Sequence, residues 1–166
     1  AIKQRRDLYE MQHTIIDNAL LGIREAENAA LQEDYANALI TYTQVLNGLS
    51  VVDNEFPDLA ETAETTINAV ASAQDKIYDD VMNRASQFIE EGSRAIDERR
   101  FDDAIGSFRM VDAVLAGIPT EAGSIKAERK VRMLEQAQEK IAEANDAKAR
   151  SQQPATPALG GPVINP

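Results

Sequence analysis

Few side chains of this chain could do chemistry. It has one histidine, His13, and no cysteine among its 166 residues. Carboxylate-bridged metal sites in helical proteins use two Glu-x-x-His motifs, while zinc fingers and disulfides need cysteine, so one histidine cannot complete such a site. We therefore predict no metal site and no cofactor, and we interpret His13 as a surface or helix-packing residue.

Neighbouring acidic residues occur at 79–80, 90–91 and 102–103, and paired carboxylates can share a proton or hold calcium. Adjacent side chains of a helix, however, point about 100° apart. We interpret the pairs as solvated helix faces, with Asp102 and Asp103 near the positive end of a helix. A serine triad would have to use His13, the single histidine, and no glycine-rich phosphate-binding loop precedes a helix. We therefore predict no catalytic residue and no enzyme.

The negative charge is unevenly distributed along the chain. The 28 acidic and 17 basic residues give a net charge of −11. Residues 1–33 contribute −2, residues 34–99 contribute −9, and residues 100–150 are neutral. Such a chain repels phosphate backbones and anionic lipids, so we exclude nucleic acid and acidic membranes as direct partners. Residues 34–99 would suit a protein partner with a basic surface.

Apolar residues recur every three or four positions in five segments, which is the period of an amphipathic helix. They predict an all-α protein with helices at about 2–32, 35–49, 58–99, 102–116 and 125–150. The third helix would be roughly 60 Å long at 1.5 Å per residue, which indicates elongated antiparallel hairpins around one long central helix. Pro57 suits the first turn of that helix, and Thr120 or Ser124 can cap the fifth.

The two ends of the chain differ from its middle. Residues 151–166 hold four prolines and two glycines and carry no charge, so they cannot form a core of their own. We predict one helical domain over 1–150, followed by a tail that lies against this protein or a neighbour. At the other end, Ala1 followed by Lys3, Arg5 and Arg6 favours a processed or exported protein of the bacterial periplasm or envelope over a cytoplasmic one.

The chain resembles itself at an offset of 66 residues, with aromatic residues opposite aromatic residues and small ones opposite small ones. The aligned pairs are Tyr35 with Phe101, Ala38 with Ala104, Tyr42 with Phe108, and Ala26 with Gly92. Helix periodicity alone sets polarity and not size, so the agreement predicts an internal repeat over 22–56 and 88–122. Two unrelated amphipathic hairpins are the alternative. The small residues would let two helices approach closely, with the rings filling the space beside them.

The second copy resembles the tetratricopeptide repeat (TPR), a pattern of bulky, small, aromatic, alanine and aromatic residues that locks two antiparallel helices together. Its positions hold Phe88, Gly92, Phe101, Ala104 and Phe108. The first copy carries the pattern at Ala26, Tyr35, Ala38 and Tyr42, but Gly22 stands where the bulky residue belongs. The spacing departs from the family, since TPR units follow one another at 34 residues.

This resemblance implies a superhelical scaffold that binds other proteins on an inner helix face. In one version of the family, Lys, Arg and Asn on that face grip a peptide carboxylate, whereas the matching positions here hold Ile89, Ser93 and Ile96. We therefore expect a protein-binding patch at these three residues without that clamp.

Together these features predict a non-catalytic scaffold for protein–protein interaction, a subunit of a larger assembly whose partners are other proteins or further copies of itself. The alternative is a structural spacer or coiled-coil component of a cell envelope or filament. A spacer of that kind should carry a continuous apolar seam along the outer face of its long helix and should self-associate in solution.

Overall fold

The computed structural model of the protein describes residues 1–154, and this part of the chain contains five α-helices and no strand. The helices are α1 (Ile2–Leu31), α2 (Tyr35–Leu49), α3 (Pro57–Asp97), α4 (Phe101–Leu115) and α5 (Ile125–Gln152). The prediction of an all-α protein is confirmed. Residues 155–166, which make up most of the predicted tail, lie outside the described residues.

Local sequence explains where the later helices begin. Pro57 is the first residue of α3, where its missing N–H removes no helical hydrogen bond. Ser124, and not Thr120, caps α5, because its hydroxyl accepts the backbone N–H of Ala127 at 3.1 Å. At its other end α5 continues through Gln152, so the helical part of the chain extends two residues beyond the predicted boundary.

The turns of the two short hairpins follow the same backbone path, 66 positions apart. Glu33 lies between α1 and α2 with φ 60°, and Arg99 lies between α3 and α4 with φ 61°. The backbone N–H of Asp34 reaches back to the carbonyl of Ala29 at 2.9 Å, and that of Arg100 reaches back five residues at 2.8 Å. The bounds of α2 and α4 are related by the same offset.

The five helices form two three-helix bundles that share α3. The N-terminal bundle consists of α1, α2 and the first part of α3, where the side chain of Gln74 donates to the hydroxyl of Thr43 at 3.2 Å. The C-terminal bundle consists of the second part of α3, α4 and α5, with Lys148 of α5 2.6 Å from Asp102 at the start of α4. At 41 residues α3 is roughly 60 Å long, so the bundles lie end to end along it.

The shared helix α3 sets where the second hairpin lies relative to the first. The α1–α2 turn lies beside the middle of α3, where Arg84 pairs with Glu33 at 2.7 Å, whereas the α3–α4 turn follows the end of α3 at Asp97. The two hairpins are therefore displaced along α3 by more than a dozen residues. A single hydrophobic core nevertheless connects both bundles, because α3 buries residues along its whole length.

Most of the residues proposed for repeat packing are buried between helices. Those with little or no exposure are Ala26, Ala38, Tyr42, Gly92, Ala104 and Phe108, while Tyr35, Phe88 and Phe101 are half-buried. The closest approach is at Gly92, where a Cβ atom would lie 2.6 Å from the ring of Phe108. Glycine at this position is what allows α3 and α4 to pack against that ring.

Candidate interaction surface

The side chains considered for chemistry are dispersed on the surface. Nδ1 of His13 lies 3.2 Å from the carboxylate of Asp17, and both side chains are more than half exposed. Glu10 stands three residues before His13, but its carboxylate accepts from Arg6 at 2.9 Å. Across residues 1–154, no three histidine, aspartate or glutamate side chains converge in a way that could hold a metal ion.

The three residues predicted to bind a partner do not form an open patch. Ile89 is buried in the core with 8% of its surface exposed, and Ile96 is half-buried against the same core. Ser93 is half-buried. Little of Ile89 is accessible, because α4 and α5 both pack against α3, and the binding role of the three residues stays a prediction.

An open apolar groove lies instead between α1 and α2, and we call it the N-terminal groove. Its volume is about 320 Å³, and its apolar and small lining residues are Ile15, Ala19, Gly22, Val45, Gly48 and Val51. The polar residues Asn18, Glu25, Thr41 and Gln44 also line it. Val51 is 61% exposed, and Met11, one turn before Ile15 on α1, is 54% exposed. The groove therefore presents apolar side chains to solvent on a chain whose surface is otherwise rich in charge.

Two glycines shape this groove: Gly48 leaves open space, and Gly22 lets its two walls approach. At the 66-residue offset, Gly22 corresponds to Phe88 and Gly48 to Val114, and both of those larger side chains pack against the core of the C-terminal bundle. Gly22 also allows a close approach between α1 and α2, because a Cβ there would lie 2.7 Å from Val45. No atom lies within 4 Å of a Cβ built at Gly48, so this side of the groove is empty space.

The corresponding face of the second hairpin lies across a surface cleft from the first hairpin. Tyr35 and Ala36, at the start of α2, line a surface cleft together with Met110 and Val114 of α4. The ion pair between Arg84 and Glu33 lies in the same cleft. We call this contact between the α1–α2 turn and the C-terminal bundle the junction.

Long-range polar contacts fasten the loop between α4 and α5. The hydroxyl of Tyr78 donates to the carbonyl of Pro119, and Nζ of Lys130 donates to the carbonyl of Ile118 at 2.8 Å. Nζ of Lys126 lies 4.4 Å from the centre of the Tyr78 ring. Burial raises the pKa of the Tyr78 hydroxyl above its ordinary value, while the positive charge of Lys126 acts in the opposite direction.

A similar contact joins α1 to the start of α3. The hydroxyl of Tyr9 donates to the carboxylate of Asp58 at 2.9 Å, and the Tyr9 ring meets Phe56 edge-on with centroids 5.1 Å apart. The hydrogen bond to Asp58, with smaller contributions from burial and charge, raises the pKa of Tyr9. The sequence did not predict the hydrogen bonds of Tyr78 and Tyr9, because their partners are 41 and 49 residues away and no local pattern links them.

No family model, curated protein or solved structure matches this chain. In the part of the chain that the structure describes, no helix is both long enough and apolar enough to cross a membrane.

Proposed function

We propose that this protein is a non-catalytic scaffold, built from TPR-like hairpins, that binds other proteins as a subunit of a larger assembly. The observation that carries this proposal is the N-terminal groove, which exposes Val51 beside the half-buried Ile15. A groove of this kind suits an apolar anchor of a partner, because burying such side chains is worth about 25 cal/mol per Å² of apolar surface.

The acidic face of α3 supports a second element of the proposal, a partner with a basic surface. Most of its acidic side chains are exposed and occur along both parts of the helix. They include Asp58, Glu61, Glu64, Asp79, Asp80, Glu90 and Glu91. A field of one sign speeds the approach of an oppositely charged partner and weakens as salt rises.

The surface of α3 favours a scaffold over the alternative of a coiled-coil spacer. The large apolar side chains that are exposed in residues 1–154 belong to the other helices and to a loop, and none of them belongs to α3. A coiled-coil partner would need an apolar seam repeating every 3.5 residues along such a helix. The described surface of α3 therefore presents charged side chains to such a partner, and no apolar seam.

Site-specific photo-crosslinking tests the scaffold proposal. A photoreactive amino acid replaces Val51 at the groove or, as the matched control, the exposed Gln136 of α5, in the cells that make the protein. We expect a defined protein adduct from position 51 that is absent from position 136. Repeating the irradiation with Ile15→Asp in the same chain should remove the adduct, because a charge would then stand on the wall of the groove.

The salt dependence of the captured complex tests the role of charge. If the partner also docks on the acidic face of α3, its affinity should fall steeply as salt rises, and Glu61→Lys with Glu64→Lys should weaken it further. Equal labelling at positions 51 and 136, or no adduct at either position, would contradict the proposed function.

A further inference from the structure

We propose that two copies of this chain pair through the outer side of α2, so that α2 of one copy packs against α2 of the other across a two-fold axis. We call this surface the α2 face, and its residues are Asn37, Ile40, Gln44, Asn47, Gly48 and Val51. The inference rests on the proposed function, because the α2 face includes one wall of the N-terminal groove, and it names a second copy as the partner.

The α2 face differs from the rest of the surface in carrying no charge. Residues 35–52 contain no Asp, Glu, Lys or Arg, in a chain of which 27% of the residues are charged. The helix is not buried on all sides, since Ile40, Gln44 and Asn47 are exposed on it. Charged residues are depleted where one protein surface is buried against another. The composition of α2 therefore indicates that its outer side meets another protein.

Packing within the hairpin does not explain the missing charge, because the counterpart helix α4 is charged. At the offset of 66 residues α4 has the same length as α2 and buries the corresponding positions. Yet α4 exposes Asp103 and Arg109, which correspond to the uncharged Asn37 and Thr43. A helix at this place in a hairpin can therefore carry charge on its solvent side, and α2 does not.

The charge of the whole chain favours a second copy as the partner. Two copies that each carry a net charge of −11 repel one another, so they approach most readily through a face that adds no like charges. The α2 face meets this condition, whereas a contact between two α3 helices would bring exposed acids such as Glu61 and Glu64 together. A basic partner, by contrast, would be drawn to the acidic face of α3 and not to α2.

The polar side chains of the α2 face suit contact with their own copies. In a two-fold dimer the same patch meets itself, so each polar group near the axis needs a partner of its own kind. The amides of Asn37, Gln44 and Asn47 meet this need, since each has both donors and an acceptor. A carboxylate or an ammonium group would instead meet a like charge. Ile40 and Val51, which are 43% and 61% exposed, add apolar side chains to the same face.

The size of the face predicts a reversible dimer. At 1.5 Å per residue α2 is about 22 Å long, and a helix is about 10 Å wide. Together with the wall of the groove on α1, the contact would cover roughly 400 Å² on each copy, about half of the ~800 Å² of a standard interface. We therefore expect dimerisation that depends on protein concentration and is weaker than a permanent interface.

Sedimentation of the purified full chain over a range of concentrations tests the pairing. We expect a monomer–dimer equilibrium that stops at the dimer, because a two-fold contact closes on itself. Raising the salt concentration should strengthen dimerisation, since salt screens the repulsion between two acidic copies. A basic partner on α3 should respond to salt in the opposite direction, so the two contacts are distinguishable.

Substitution of Gln44 locates the contact, because Gln44 lies in the middle of the α2 face and a two-fold axis through that face brings it close to its own copy. Gln44→Glu should weaken dimerisation about tenfold or more, because two carboxylates would then meet. Gln44→Lys should weaken it for the same reason. An equimolar mixture of the two variants should recover dimerisation to near the wild-type level, since the introduced carboxylate and ammonium groups can pair.

Gln136→Glu is the matched control, because it makes the same substitution at an exposed position of α5, and it should leave dimerisation unchanged. Circular dichroism spectra and melting curves of each variant show whether the fold is retained. The inference would be overturned by a wild-type chain that stays monomeric at high concentration and high salt, by a Gln44→Glu variant that dimerises like the wild type, or by a mixture without recovery.

The outcomes also separate this inference from the scaffold proposal. If the copies do not pair while position 51 still crosslinks to a different protein, the scaffold proposal stands and only the pairing of copies is wrong. If the purified copies pair as expected but no adduct forms at position 51 in cells, the pairing stands and the scaffold proposal is wrong.

Discussion

Two glycines in helix interiors have opposite surroundings and therefore opposite roles. Gly92 faces the fully buried ring of Phe108, whereas Gly106 of α4 has no atom within 4 Å of an added Cβ. Helical glycine ordinarily costs about 1 kcal/mol relative to alanine, so only the packing decides what an alanine does at each site.

We expect Gly92→Ala to lower the free energy of unfolding by about 1–3 kcal/mol, because its Cβ would lie 2.6–2.8 Å from three atoms of the Phe108 ring. The matched variant Gly106→Ala should raise it by up to about 1 kcal/mol. Urea denaturation of both variants measures the difference. Equal effects at the two positions would show that α3 and α4 do not approach as closely as described.

The hydrogen bond of the Tyr78 hydroxyl should make the stability of the protein depend on pH in the alkaline range. Tyr78→Phe removes the hydrogen bond to the carbonyl of Pro119 and should cost about 1 kcal/mol at neutral pH. Because burial raises the folded-state pKa above the ordinary 10.0, the contribution of this hydroxyl is fully present below about pH 10 and is lost as the pH rises through the raised value.

The stability gap between wild type and Tyr78→Phe should therefore be constant from pH 7 to about pH 9 and narrow above about pH 10. Thermal melts at a series of pH values measure this gap. A gap that stays the same into the alkaline range would mean that the hydroxyl of Tyr78 is not held as described.

At the scale of helices, the start of α2 depends on one side chain. The carboxylate of Asp34 accepts the backbone N–H of Asn37 at 3.3 Å and the side-chain amide of the same residue at 2.6 Å. The other hairpin has Arg100 at the corresponding position, with no side-chain cap. The first hairpin thus has a local stabilisation that its counterpart lacks.

We expect Asp34→Ala to destabilise the protein by about 0.5–2 kcal/mol and to speed amide exchange in the first turn of α2. Asp34→Asn should behave like the wild type, because asparagine also accepts the N–H of the capped turn. Hydrogen exchange resolved by residue distinguishes fraying of α2 from global unfolding. If asparagine were as damaging as alanine, the negative charge and not the cap would be the important feature.

At the scale of the whole molecule, α3 makes the two bundles one folding unit. It contributes to both bundles, and buried residues such as Val81, Met82 and Ala85 continue the core through the region where the bundles meet. At the same position along α3, the junction adds the ion pair between Arg84 and Glu33. We therefore expect the wild-type chain to unfold in a single cooperative transition.

Asn83→Pro tests this coupling, because Asn83 is exposed and lies on α3 where the bundles meet. Proline removes one helical hydrogen bond and clashes with the preceding turn, at a cost of about 3 kcal/mol or more. We expect the single denaturation curve to separate into two transitions. Asn83→Ala should retain one transition at slightly higher denaturant, and one unshifted transition for the proline variant would show that the bundles are coupled by other contacts.

The sequence by itself determined the helices and, to within two residues, their bounds, because hydrophobic period, caps and prolines act within a few residues. The offset of 66 residues was also readable, since aromatic and small residues align at that spacing. The shared backbone conformation of the two turns came from the structure. The TPR-like character of the hairpins and the partners of the chain stay predictions.

Only the tertiary structure decided which apolar faces meet. Periodicity shows that Ile89 belongs to an apolar stripe, but the packing of α4 and α5 on α3 decides that it is buried. In the same way, nothing local predicts that Gly22 and Gly48 lie side by side on an open groove, or that Tyr78 reaches Pro119. These features depend on packing between residues distant in the chain, which no local pattern can specify.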